Sequence, residues 1–102
     1  MEKSKLSLEL IRKRIDEVDT KLLELLNQRA DLVHEVGVVK KQAGLTIYAP
    51  EREEALLQGL ERKNKGRLPA TAIRAIYREI MSAALALEMS ARRTTYLSFP
   101  GN

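Results

Sequence analysis

Hydrophobic residues recur along the first forty or so positions at spacings of four and three, the period of one face of an α-helix. One charged residue, Arg29, stands in this series. No proline occurs between Leu6 and Gln42, and Ala43-Gly44 supplies a plausible C-terminal cap. We therefore predict a single helix of about 37 residues. The apolar members of its seam are Ile11, Ile15, Val18, Leu22, Leu25, Leu32, Val36 and Val39.

Two further helices follow. The second begins at Ala49-Pro50, where proline is tolerated and the acids after it meet the positive end of the helix dipole, and it ends within 63–66. The third begins near Pro69, runs to about Ala91 and has a seam interrupted by Glu88. No segment alternates with the period of two expected of a half-buried strand. The sequence predicts an all-α fold of three helices: one very long, one short and one long.

Composition indicates a single small domain. The chain has 102 residues, 44% of them hydrophobic, and no cysteine. We assign the domain to residues 1–93 and interpret 94–102 as a tail or truncated junction. The absence of cysteine excludes a disulfide scaffold and a thiol nucleophile. No apolar run approaches the roughly 20 residues that span a bilayer, and the first residues lack a signal-peptide core, so we expect a cytoplasmic protein without membrane association.

The length of the first helix bears on assembly. About 37 helical residues extend roughly 55 Å, whereas a compact chain of this size has a radius of gyration of about 13 Å. The apolar seam thus continues further than the two shorter helices can cover. We predict an intertwined homodimer in which a second copy covers the remainder.

Arg29 and Glu88 occupy seam positions, where a charged side chain must be paired or bind a ligand. One interpretation is a buried ion pair that fixes the register of the dimer. The other is an anion site, because Lys40 follows Arg29 by nearly three turns, about 16 Å along the same face. Arg12 lies about 25 Å from Arg29 along the axis and roughly 100° around it, so it reaches such a site only from an antiparallel second copy. A net charge of +4 is compatible with an anionic ligand.

Arg52 and Glu53 lie in the first turn of the second helix, after a connection short enough to fold this turn back over the first helix. The helix dipole explains Glu53 but disfavours Arg52. His34 lacks a second histidine or a cysteine for a metal site, and no glycine-rich phosphate loop occurs. The basic stretch 63–67 lacks the aromatic interleaving of nucleic-acid binders. We expect no metal, cofactor or nucleic acid.

The charged residues and two of their local sequences form a pattern. Its members are Arg12, Arg29, Lys40 and Arg52-Glu53, with the segments 11–16 and 25–29. It resembles the all-helical chorismate mutase family, above all the N-terminal mutase domains of bifunctional chorismate mutase/prephenate dehydratases. The resemblance covers residues 6 to about 91. It implies an isomerase that converts chorismate to prephenate in phenylalanine and tyrosine biosynthesis, by a unimolecular Claisen rearrangement that needs no metal, cofactor or covalent intermediate.

The resemblance also implies residue roles. Arg29 and the partner subunit's Arg12 would bind the two substrate carboxylates, since guanidinium is a planar fork matched to carboxylate. Glu53 would accept a hydrogen bond from the ring hydroxyl, and Arg52 would support the charge arrangement of the site.

Lys40 and Glu88 are the catalytic pair that the resemblance implies. Lys40 would donate to the ether oxygen and to a carboxylate, and Glu88 would be the second donor to the ether oxygen, a role open only to its protonated form. Ala49 and Ala84 depart from the family pattern, where an acid and a serine are frequent. Two alternatives stay open: an isochorismate pyruvate lyase on the same scaffold, and a non-catalytic helical dimerisation or regulatory module.

Overall fold

A computed structural model of the chain describes the backbone of residues 2–97 and the side chains of residues 7–90. This part contains three helices and no strand: α1 is Glu2–Ala43, α2 is Pro50–Lys63 and α3 is Ala70–Leu97. The predicted all-α fold of one very long, one short and one long helix is confirmed. None of the described helices is both long and apolar enough to cross a membrane.

The third helix is longer than predicted. Its apolar pattern fades near Ala91, yet α3 continues to Leu97. Periodicity reports which residues are buried, whereas a helix can continue beyond its apolar stripe when no residue there disfavours it. Glycine and proline, the least favourable residues for a helix, do not occur between these two positions. The domain boundary after residue 93 stays a prediction, and residues 98–102 of the predicted tail lie outside the described residues.

The chain forms two compact units, of which the first ends at Asp31 and the second begins at Leu32. The described part of the first unit is helical throughout, so its apolar seam has no second element of its own unit to pack against. The exposed fractions of five seam residues accordingly lie between 50% and 58%. These residues are Ile11, Ile15, Val18, Leu22 and Leu25.

In the second unit, α2 packs against α3. Leu57 on α2 and Met81 on α3 are 4% and 8% exposed, and they are the buried hydrophobic side chains of the described residues. Full burial of a leucine or methionine side chain contributes about 1.5–3 kcal/mol, so the burial of these two residues stabilises the second unit.

Arg74 on α3 links two acids that lie two turns apart on α2. Its Nη2 is 3.0 Å from Glu54 Oε1, and its Nε donates to Glu61. The hydrogen bond from Arg74 lowers the pKa of Glu54 below its ordinary value, and the hydrogen bonds to Glu54 and Glu61 raise the pKa of Arg74. One guanidinium thus fixes the α2 face against α3.

Asn64 shapes the connection between α2 and α3. Its backbone N–H donates to the Leu60 carbonyl at 2.9 Å, its Nδ2 donates to the Leu68 carbonyl at 2.7 Å, and its Oδ1 accepts from the Gly66 N–H at 3.1 Å. The cap is therefore an asparagine in an extended conformation, with φ of −72° and ψ of 114°. An amide side chain replaces a left-handed residue here because it supplies both a donor and an acceptor to the turn.

We predict that Arg74→Met destabilises the protein in a pH-dependent manner. Because the pKa of Glu54 is held below its ordinary 4.5, the ion pair stabilises the fold above that pH, and this stabilisation is lost as pH falls through the lowered pKa. Chemical denaturation at pH 7 should give a lower midpoint for the variant than for the unsubstituted chain. The two midpoints should converge in acid.

Arg67→Met is the control, since Arg67 is exposed and makes no hydrogen bond or ion pair with the described residues. A difference for Arg74→Met that stays constant from pH 7 into acid would contradict the assignment of the effect to these carboxylates.

Candidate active site

Lys40 and Glu88 form an ion pair that connects the end of α1 to α3. Lys40 Nζ lies 3.3 Å from Glu88 Oε2, although 48 residues separate the two along the chain. Their side chains are only 21% and 14% exposed. Charges withdrawn from water to this degree require compensation, and each supplies it to the other.

The Lys40 ammonium has a second partner in the α1–α2 connection. Nζ donates to the Ile47 carbonyl at 2.9 Å, a shorter contact than the one to Glu88. An ammonium has three N–H donors, of which the protein uses two here. One donor is therefore left for a ligand without breaking either contact.

Helix α1 ends three residues after this lysine, in a backbone motif that uses the Lys40 carbonyl. The Leu45 N–H donates to the Lys40 carbonyl at 2.8 Å, and the Gly44 N–H donates to the Lys41 carbonyl at 3.1 Å. Gly44 has φ of +70°, the left-handed conformation that closes a helix in a Schellman motif. The Ala43-Gly44 cap predicted from the sequence is thus confirmed.

Arg52 and Glu53 lie in the first turn of α2, as predicted, with Arg52 exposed and Glu53 half-buried. Neither side chain hydrogen-bonds to Lys40, to Glu88 or to any other described side chain. Ala49 is the N-cap and offers no side-chain acceptor to the helix. The backbone N–H groups of residues 51 and 52, which precede the bond from the Glu53 N–H to the Ala49 carbonyl, are consequently open to water or a ligand.

The remaining two predicted residues belong to the first unit. Arg12 is exposed and Arg29 is half-buried, and within the described residues neither takes part in a hydrogen bond or an ion pair. Of the six predicted residues, the structure brings together Lys40 and Glu88. Sequence reasoning missed the Ile47 carbonyl, because a backbone acceptor is not marked by residue type; the only signal was a glycine cap three residues earlier.

Chemically, this site presents a fixed ammonium beside a carboxyl group. The ammonium can donate to an anionic or ether oxygen, and the carboxyl group can accept a hydrogen bond when ionised or donate one when protonated. Among the described side chains, no group of histidine, aspartate and glutamate could hold a metal ion.

A sequence model of the family described as chorismate mutase type II matches residues 11–89, a span that includes all six predicted site residues. The chain belongs to the type II chorismate mutase family. The family resemblance inferred from the charged positions is confirmed by this match.

Two relatives of the type II chorismate mutase family illustrate the similarity. The bifunctional chorismate mutase/prephenate dehydratase of Aquifex aeolicus is 45% identical over 82 residues, covering 76% of this chain and 23% of that protein. The chorismate mutase of Methanocaldococcus jannaschii is 48% identical over 44 residues, which cover 43% of this chain and 44% of that one. The chain spans only 21–24% of the length of three bifunctional relatives.

A solved chorismate mutase structure is similar to this chain in three dimensions. The chorismate mutase (form II) of Thermus thermophilus superposes with a TM-score of 0.79 at 39% identity, covering 80% of this chain and 93% of that chain.

We predict that Lys40 and Glu88 are energetically coupled in the folded protein. Lys40→Met and Glu88→Gln each leave the other group without its partner, so the double variant should be less destabilised than the sum of the single variants, by about 1 kcal/mol. Chemical denaturation of the four proteins measures this difference. The same cycle with Glu51→Gln in place of Glu88→Gln should be additive, because Glu51 is exposed on α2; additivity in both cycles would exclude the coupling.

Proposed function

We propose that this chain is a cytoplasmic isomerase that converts chorismate to prephenate, a step in phenylalanine and tyrosine biosynthesis. The observation that carries the proposal is the half-buried Lys40–Glu88 pair in a member of the type II chorismate mutase family. A relative named chorismate mutase and a bifunctional relative that includes this activity, both above 40% identity, support it.

The proposed chemistry is a unimolecular rearrangement without metal or cofactor. Its rate depends on holding the substrate in a compact conformer and on stabilising negative charge that grows on the breaking ether oxygen. Lys40 stabilises the charge on the ether oxygen, since its ammonium is held by two protein contacts and retains a third N–H donor.

Glu88 serves the same oxygen from α3, but only in its protonated form. Without ligand, its carboxylate accepts from Lys40. When the ether oxygen enters between the two groups, an ionised Glu88 would repel the growing charge, whereas a protonated one donates to it. Protonation of Glu88 is therefore part of the proposed catalytic state.

The substrate carboxylates are assigned to Arg29 and to the partner subunit's Arg12. A half-buried guanidinium that no described side chain engages, as in Arg29, is available for bidentate binding of a carboxylate. Glu53, half-buried at the start of α2, is assigned to the ring hydroxyl, and Arg52 to the charge balance. Ala49 and Ala84 offer no polar side chain at their positions, which should weaken substrate binding more than it slows the chemistry.

An intertwined homodimer completes the proposal. Seam residues of the first unit are half-exposed along several consecutive turns, a condition typical of a helix that pairs with another chain. We assign a second copy of the chain as the partner that covers this seam. The seam keeps a regular spacing of four and three residues, so the seams of two copies can pack against each other, and its one charged member is Arg29.

We predict that Glu88→Gln retains activity, because an amide N–H donates a hydrogen bond without having to take up a proton. Glu88→Ala should lower kcat about a hundredfold by removing the donor. Prephenate formation by the two variants and the original chain, measured under identical conditions, tests this.

Glu51→Ala, which truncates an exposed carboxylate on α2, should retain kcat. A Glu88→Ala protein as active as the original chain would remove Glu88 from the mechanism. Pyruvate release from isochorismate, assayed in parallel, would instead favour the lyase, and turnover of neither substrate by the folded chain would favour the non-catalytic module.

We predict that Arg12→Ala and Arg29→Ala chains, each inactive alone, regain activity when combined in one dimer. If Arg12 acts in its partner's site, a hybrid dimer has one site with both arginines intact. A statistical mixture of the two chains should then show about one quarter of the original activity.

Co-expression of the two variants with different affinity tags allows the hybrid to be purified and assayed. A hybrid as inactive as its parents would place Arg12 in the site of its own chain, and loss of the dimer in Arg29→Ala would assign Arg29 to dimer register.

A further inference from the structure

We propose that Gly44 is a positioning residue for the chemical step: its left-handed backbone turns the α1–α2 connection so that the Ile47 carbonyl holds the Lys40 ammonium. The inference rests on the proposed function and extends it to two residues that contribute no side chain to substrate. It starts from the fact that Gly44 is the one residue with positive φ in the described part of the chain.

The α1–α2 connection contacts Lys40 at two points, one on the lysine backbone and one on its side chain. The Lys40 carbonyl accepts from the Leu45 N–H at 2.8 Å, and its Nζ donates to the Ile47 carbonyl at 2.9 Å. Between these two contacts the chain passes only through residues 45–47, directly after Gly44. A change of backbone angle at Gly44 therefore displaces the Ile47 carbonyl relative to the ammonium.

The Ile47 carbonyl differs from Glu88 in one respect that matters for catalysis. A carbonyl oxygen keeps its acceptor capacity at every pH, whereas Glu88 must take up a proton to donate to the ether oxygen. When Glu88 does so, Lys40 loses its charged partner. The contact at 2.9 Å then keeps the ammonium in place, which is the preorganisation that electrostatic stabilisation of a transition state requires.

Gly44 is needed for its conformation and not for its small size. A Cβ built at Gly44 meets no atom within 4 Å, so a substituted side chain would have space. At φ of +70°, however, an L-residue with a Cβ is strained. Asparagine adopts this conformation more readily than alanine, so the two substitutions separate backbone conformation from side-chain volume.

The test compares Gly44→Ala with Gly44→Asn. With prephenate formation as the assay, Gly44→Ala should lower kcat on the order of tenfold and change KM less, because the Lys40 contact to the ether oxygen matters most in the transition state. Gly44→Asn, although larger, should recover most of this loss. Kinetics are measured where circular dichroism shows each variant fully folded.

Gly59→Ala is the matched control. Gly59 lies within α2 at negative φ, and a Cβ there also meets no atom within 4 Å. This variant should retain kcat and KM. A Gly44→Ala protein that is less stable but retains kcat would overturn the inference and leave Gly44 a structural role only, and so would a Gly44→Asn protein as slow as Gly44→Ala.

A second measurement does not depend on activity. Lys40→Met should lower the denaturation midpoint less in the Gly44→Ala background than in the original chain, because the Ile47 contact is already weakened there. Additive midpoint shifts would overturn the inference. If the original chain forms no prephenate, the proposed function fails; non-additive shifts would then support the Gly44–Lys40 linkage, while its catalytic consequence would be overturned with the function.

Discussion

The Lys40 ammonium is the charge around which the second unit is organised. Its side chain is only 21% exposed, so the positive charge must be compensated by the protein. Glu88 provides the compensation from α3, and the Ile47 carbonyl provides it from the α1–α2 connection. Satisfying one cation thus fixes the end of α1, the connection and α3 in a single arrangement. Helix α2 is held to α3 by the ion pairs of Arg74.

Sequence patterns predicted the helices because each has an apolar stripe of the correct period, and they marked Glu88 because it interrupts such a stripe. They placed the end of α3 too early. The apolar pattern ends near Ala91, but the helical backbone continues to Leu97. The partner of the Lys40 ammonium in the connection could not be predicted, because every residue carries the same carbonyl and only the fold decides which one faces the lysine.

The proposed site residues fall into two groups, whose charges are compensated in different ways. Lys40 and Glu88 are shielded from water and neutralise each other before any ligand arrives. Arg12 and Arg52 are exposed, so water solvates their charges and no partner is required. A site for a dianion needs several cations, and their mutual repulsion is small while they are hydrated. In the proposed function, the dianionic substrate supplies the countercharge when water is removed.

Glu88 has two roles that exclude each other. Its carboxylate form pairs with Lys40, whereas the proposed function requires its acid form, because only the acid form can donate a hydrogen bond to an oxygen. A glutamine at this position would donate without a bound proton, but it would remove the charge that compensates the Lys40 ammonium. The Ile47 carbonyl limits this loss, because its contact with the ammonium does not involve Glu88.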